Sequence, residues 1–343
     1  MRTTRPPLAV LSATAVAASL ALSAALPVAA QDEVGSVVAT TEVLGSVVEQ
    51  LVGDAAEVSV IMPSGADPHS YEPSARDAER MLAADVLVSN GLDLEEALLP
   101  ILESAESEGV IWFQAADHIT VLDLAAAEEH EHEDVGHDEE AGHEEEAGHD
   151  EEAGHDEEAG HEDDAYDEHE HGAEDPHIWT DPTVMIDIAS ALEPVLAEVG
   201  IDASAGAEAL ITELEALDAE VAETLAVVPE EARKLVTGHR SLGYFAERYG
   251  FELIGTVIPG LTTSGEPTAR EMAELIADIE ADDVPVVFAE VGTPQAVAEA
   301  VASDSGATLV PLSTSQLPDG GTYQDLIRDI ATTVATALAP EGR

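Results

Sequence analysis

The chain has 343 residues, 45% of them hydrophobic but only 3% aromatic, with no cysteine and 73 acidic against 11 basic residues, a formal net charge of −62. That length suits two lobes better than one small domain, and the absence of cysteine leaves neither disulfides nor a lipobox cysteine to tether the mature chain. The acidity excludes nucleic acid as a partner, because phosphate backbones are held by clustered Lys and Arg, and it makes cations the natural ligands.

Arg2 and Arg5 precede an apolar run from Leu8 to Leu26, and Val28-Ala29-Ala30 offers small residues before Gln31. This pattern predicts a signal peptide over residues 1–30 and a mature protein outside the cytoplasm, periplasmic or secreted. Val34–Thr40 reads as a buried strand and Thr41–Val52 as the helix after it. The strand Val58–Met62 delivers the chain to Pro63-Ser64-Gly65-Ala66-Asp67-Pro68-His69-Ser70-Tyr71-Glu72-Pro73, a loop made rigid by prolines on both sides of His69. A helix over Ala75–Ala83, the strand Val86–Ser89, a helix over Leu94–Glu106 broken by Pro100, and the strand Val110–Phe113 follow.

From Glu128 to Asp175 the α/β rhythm stops. This stretch carries 25 of the acidic residues and no Lys or Arg, and a Gly-His-Asp/Glu-Glu-Glu-Ala hexad spaces His137, His143, His149, His155 and His161 six residues apart. Such a repeat cannot bury a core, so residues 128–174 are expected as a disordered, metal-attracting loop. The rhythm resumes with helices over Met185–Val199 and Ser204–Val228. In the second, Leu210, Leu214, Leu217, Val221 and Leu225 fall at three- and four-residue spacing, and about 25 helical residues span roughly 37 Å. A second series runs through the strand Leu235–Thr237, the helix Leu242–Tyr249, the strand Glu252–Ile258, the helix Ala269–Glu280, the strand Val286–Ala289, the helix Gln295–Ser303, the strand Thr308–Leu312 and the helix Tyr323–Leu338. The expected fold is therefore α/β: an N-terminal lobe over 31–203, a linking helix over 204–228 and a C-terminal lobe over 229–343. Each lobe holds a small, mostly parallel sheet flanked by helices, and the ligand lies in the cleft between them.

His69, His177 and His239 sit at strand ends or in rigid loops. Two of them share an Asp-Pro-His context, and imidazole suits Zn(II) and other late divalent metals. The motifs Gly65-Ala66-Asp67-Pro68-His69-Ser70-Tyr71-Glu72-Pro73, Asp175-Pro176-His177-Ile178-Trp179, and His239 followed by Tyr244-Phe245-Ala246-Glu247-Arg248-Tyr249-Gly250 resemble those of the zinc/manganese substrate-binding proteins of bacterial ABC transporters. The resemblance runs over essentially the whole mature chain. It implies that His69, His177 and His239 bind the metal between two lobes joined by a rigid helix, and that the acidic His-rich loop marks a zinc-type member.

Many members place an acid in the loop after the last strand, where this chain has Ser315. The fourth ligand is expected instead from Asp319, in the Gly-rich stretch Pro318–Gly321, with Glu290 or water as alternatives. Asp67, Glu72 and Asp175 read as groups that orient the ligands or fix their loops. His118 reads as a surface histidine, Trp112 and Trp179 as packing residues, and Gly260–Pro267 lacks the Lys and spacing of a phosphate loop. The expected function is capture of Zn(II), with Mn(II) less favoured because it prefers oxygen ligands, and delivery by a monomer to a membrane ABC permease. The competing readings are a Mn(II)-specific protein, a metal buffer or adhesin, and a secreted zinc hydrolase. Against an enzyme stands the lack of a His-Glu-x-x-His stretch or nucleophile elbow.

Overall fold

In the computed structural model, which describes residues 35–122 and 174–340, the chain opens with strand β1 (Gly35–Ala39) and helix α1 (Glu42–Val52). The expected signal peptide and all of the acidic stretch 128–174 but Glu174 lie outside the described residues. Thr41 caps the helix, its hydroxyl accepting from Leu44 N at 3.3 Å. Strands β2 (Ala56–Val60), β3 (Val86–Ser89) and β4 (Ile111–Gln114) complete a parallel sheet of order β2-β1-β3-β4. Val37 pairs with Val58 on one side and Val86 on the other, which explains the unbroken burial of Val37, Val38 and Ala39.

Helix α2 (Ala75–Leu82) starts in a capping box between Ser74 and Asp77. Pro100 starts a helix instead of breaking one: a 3-10 turn at Glu96–Leu98 leads into α3 (Leu99–Glu108), where proline occupies the first turn and its missing N–H has no partner to lose. Helix α4 (Pro182–Glu198) begins three residues before the apolar pattern does, because Asp181 caps it through Thr183 N at 2.7 Å. The long helix α5 (Ser204–Leu225) stops three residues short of the expected end as the chain turns to bury Val228.

The C-terminal half contains the parallel pairs β5 (Lys234–Thr237) with β6 (Glu252–Thr256), and β7 (Val286–Ala289) with β8 (Thr308–Pro311). Strand β5 lies alongside β7. Around them stand α6 (Gly243–Tyr249), α7 (Ala269–Ala281), α8 (Gln295–Ser305) and α9 (Tyr323–Leu338).

Leu210, Leu214, Leu217, Val221 and Leu225 of α5 are all buried, and this helix packs on α1, α4 and α9. The resulting core is continuous from Val37 and Leu44 of the first half to Phe245 and Leu326 of the second. Each half also has a smaller cluster of its own, around Met81 and Leu87 in the first and around Val287 and Ile279 in the second. Because the strands of each sheet are parallel, their carboxyl ends all open toward loops on one side, where open α/β sheets collect ligands.

Candidate metal centre

His69 follows the carboxyl end of β2, in a loop that local chemistry fixes. Asp67 Oδ1 accepts the His69 N–H at 3.0 Å, and Asp77 receives the Tyr71 hydroxyl at 2.9 Å, the Ser74 hydroxyl at 2.7 Å and Arg80 at 2.6 Å. Burial opposes ionisation of Asp77, but the bonds from Ser74, Arg80 and Tyr71 outweigh it and hold the carboxyl well below the usual carboxylate range. Glu72 is exposed.

His177 arrives on the segment that re-enters the described structure at Glu174. Asp175 N donates to Leu122 O at 3.1 Å, and Leu122 N donates to the Tyr244 hydroxyl at 3.0 Å, so the two sides of the repeat meet against α6. Asn90 Nδ2 donates to Pro176 O at 2.8 Å. The turn carrying Asn90 is held by Glu95, which accepts from Thr40 Oγ1 at 2.6 Å and Asn90 N at 2.7 Å. Burial pushes the Glu95 carboxyl up against these bonds. His239 extends from β5 through Gly238, with its N–H directed to Glu290 Oε2 at 3.3 Å.

These three histidines converge. Nε2 of His177 lies 3.2 Å from Nε2 of His69 and 3.1 Å from Nε2 of His239, with the ring centroids 5.0–5.5 Å apart and the rings splayed. Nitrogens coordinated tetrahedrally at zinc distances would be roughly 3.3 Å apart, so the cluster has nearly the spacing that an ion would impose. Among the described residues this is the one group of histidines and carboxylates gathered closely enough to hold a metal. Burial first, and then the proximity of His177 and His239, lower the pKa of His69 to about 3, so its lone pair is free for a cation at neutral pH.

Behind the ring of Nε2 atoms stand carboxylates. Asp175, fully buried, accepts from His177 N at 2.9 Å and lies 2.7 Å from His177 Nδ1. Gly243 makes this possible, because a Cβ there would lie 2.0 Å from Asp175 Oδ2. Glu290 Oε2 lies 2.7 Å from His239 Nδ1, close but off the N–H axis, while its other oxygen accepts from Ser241. Such partners fix ring orientation and raise ligand basicity.

The structure does not bring Asp319 to the cluster. It is exposed in a turn closed by Gly321 N to Pro318 O at 2.8 Å, the local bond that a Pro-Asp-Gly-Gly stretch favours. Glu290 stands behind His239 instead of facing the cavity. Residues that line the cavity around the imidazoles include Asp67, Thr263, Val291, Thr314 and Ser315. Of these, the sequence drew attention to Asp67 and Ser315 alone; Thr263 sits in a stretch set aside for its small residues, and nothing local marks Thr314 or Val291. Trp179 packs edge-on against His177 and donates from its indole to Thr314 O at 2.6 Å. His118 is exposed and stacks on Phe113 with centroids 4.4 Å apart, away from the cluster.

Comparison with known proteins covers nearly the whole chain. The profile of the family described as zinc-uptake complex component A, periplasmic, matches residues 37–337. The high-affinity zinc uptake system protein ZnuA of Paracoccus denitrificans is 32% identical over 335 residues, 94% of this chain and 98% of that protein. The manganese-binding lipoprotein MntA of Halalkalibacterium halodurans is 25% identical, over 79% of this chain and 75% of that protein. Among solved structures, the periplasmic zinc-binding protein TroA from Treponema pallidum superposes with a TM-score of 0.70 at 23% identity, covering 89% of this chain and 99% of that one. That likeness extends to the two-lobed arrangement of small parallel sheets flanked by helices.

Proposed function

The chain belongs to the family of metal ABC-transporter substrate-binding proteins, and from that premise we propose that it captures Zn(II) outside the cytoplasm and hands it to a membrane permease. The observation that carries this reading is the convergence of three Nε2 atoms at 3.1 and 3.2 Å. His69, His177 and His239 are the ligands, with Asp175 and Glu290 orienting the two buried rings. Besides Thr263, whose hydroxyl is given to Asp67, the cavity wall carries Thr314 and Ser315; a water or one of these two groups completes the shell. Neutral nitrogen donors favour zinc over manganese, which prefers carboxylate and water oxygen. The MntA similarity makes Mn(II) the second reading.

The protein acts as a monomer and catalyses no reaction; its cargo is the ion itself. In this reading residues 31–203 and 229–343 are the two lobes, 204–228 the link between them, and 1–30 the export signal. Histidines 137, 143, 149, 155 and 161 collect zinc near the site. Metal analysis of the purified full-length protein, with a competitive titration of Zn(II) against Mn(II), tests the assignment. One tightly held equivalent of zinc, distinct from ions that the loop exchanges weakly, preferred over manganese and lost in His239→Ala, is expected. Retained zinc in that variant would overturn the ligand set, and a preference for manganese would overturn the substrate.

A further inference from the structure

We propose that Thr263 is a positioning residue for His69, acting through Asp67 to steady the one imidazole of the cluster that no carboxylate backs, and so setting how long a captured ion is retained. The inference rests on the metal-capture reading of the three histidines. His177 and His239 are buried and each has a carboxylate 2.7 Å from Nδ1. His69 is half-buried, and among the described residues no carboxylate pairs with its ring. Its placement therefore depends on its backbone, whose N–H donates to Asp67 Oδ1 at 3.0 Å.

The other oxygen of Asp67 is held from the opposite half of the molecule. Oδ2 accepts from the Thr263 hydroxyl at 2.5 Å, across 196 residues of sequence. A hydroxyl given to a carboxylate at that distance is a strong, charge-assisted bond. Thr263 lies on the loop between β6 and α7, and its methyl rests on the loop after β7: a Cβ at Gly292 would lie 2.7 Å from Thr263 Cγ2 and 3.1 Å from Asp67 Oδ2. Gly292, at φ +87°, thus leaves the space in which the bond forms. Asp67, His69 and Thr263 all face the metal cavity.

The consequence is a division of labour. The C-terminal half holds His239 directly and His69 at one remove. Without the Thr263 hydroxyl, Asp67 loses its anchor, the turn that presents His69 loosens, and the bound ion parts from that ligand more often. Less preorganised ligands raise dissociation rates more than they change capture.

The test uses full-length protein loaded with Zn(II) and measures release into excess chromophoric chelator by stopped flow. Thr263→Val is expected to keep one tightly held equivalent of zinc and to melt within about 5 °C of the parent while releasing the ion about tenfold faster. Thr263→Ser, which restores the hydroxyl, is expected to release within about twofold of the parent. In a His69→Ala background the valine substitution should add nothing further, since an effect routed through His69 vanishes with it. Release from Thr263→Val at the parental rate, a serine variant as fast as the valine one, or an undiminished effect in the His69→Ala background would each overturn the proposal. A parent protein that takes up no zinc, or a His239→Ala protein that keeps it, would instead overturn the metal-site reading.

Discussion

His69 and the pair formed by His177 and His239 bring the same side chain to one cavity, yet the protein holds them in different ways. The pair is buried and carboxylate-backed; His69 is half-exposed and held through its backbone. Like side chains gathered in one cavity are thus held unequally. On the proposed metal-capture reading, two rings would form a fixed seat and the third would be the one by which an ion enters and leaves.

The strongest way to break this comparison is to remove one ring of each kind. His177→Ala takes a ligand and leaves the fully buried Asp175 with an uncompensated charge, which costs about 3–5 kcal/mol. The unfolding free energy of the metal-free protein should fall by about that amount in His177→Ala, and by clearly less in His69→Ala, which strands no carboxylate. Equal losses would erase the distinction.

A smaller effect is expected from neutralising what stands behind the seat. Asp175→Asn preserves shape but removes the charge behind His177, and should weaken zinc binding by about 10- to 100-fold. Gly243→Ala should act in the same direction by pushing Asp175 off the ring, since its Cβ would lie 2.0 Å from Oδ2.

The third prediction concerns acid. With His69 at about 3 in the folded, metal-free protein and 6.5 as its ordinary value, the unfolded chain binds a proton below about 6.5 that the folded chain refuses until pH nears 3. The stability tied to this ring is therefore complete above pH 6.5 and lost as pH falls from 6.5 toward 3. Thermal midpoints of metal-free protein across that window should decline less steeply in His69→Gln; parallel curves would show that this half-buried imidazole titrates normally. The smallest effect belongs to Asp319→Ala, for which zinc affinity should change by less than about twofold, because the turn keeps this side chain in solvent. A larger loss would return it to the ligand set.

Much of the fold is legible in local pattern. The runs Val86–Ser89, Val286–Ala289 and Tyr323–Leu338 have their expected bounds, because each is bordered by a clear turn or cap. The leucine spacing along α5 marks its buried face without ambiguity. Pro100 misled because a proline after a short helical turn looks the same in sequence whether it breaks a helix or starts one. For the site, prolines beside His69 and His177 flag rigid loops, and motif resemblance picks out the three histidines that the structure gathers. What local sequence cannot hold is contact across distance. Glu290 meets Ser241 from 49 residues away, Thr263 meets Asp67 from 196, and Asn90 meets Pro176 from 86. Each is an ordinary polar residue until folding supplies its partner. Asp319 shows the reverse, an acid at a plausible place whose own turn claims it.

The apolar cluster that passes through α5 has no seam. Its members come from β1 and α1 at one end and from α6 and α9 at the other. A chain cut on either side of α5 would bare Leu210, Leu214 and Leu217 on one fragment and their contacts on the other, so neither half is a portable module that can be grafted, swapped or produced alone. The intact protein should melt as one unit. On the proposed reading the ion would bind between parts already joined through one core, and the sign that cargo has arrived would have to lie in the loops around the cavity mouth.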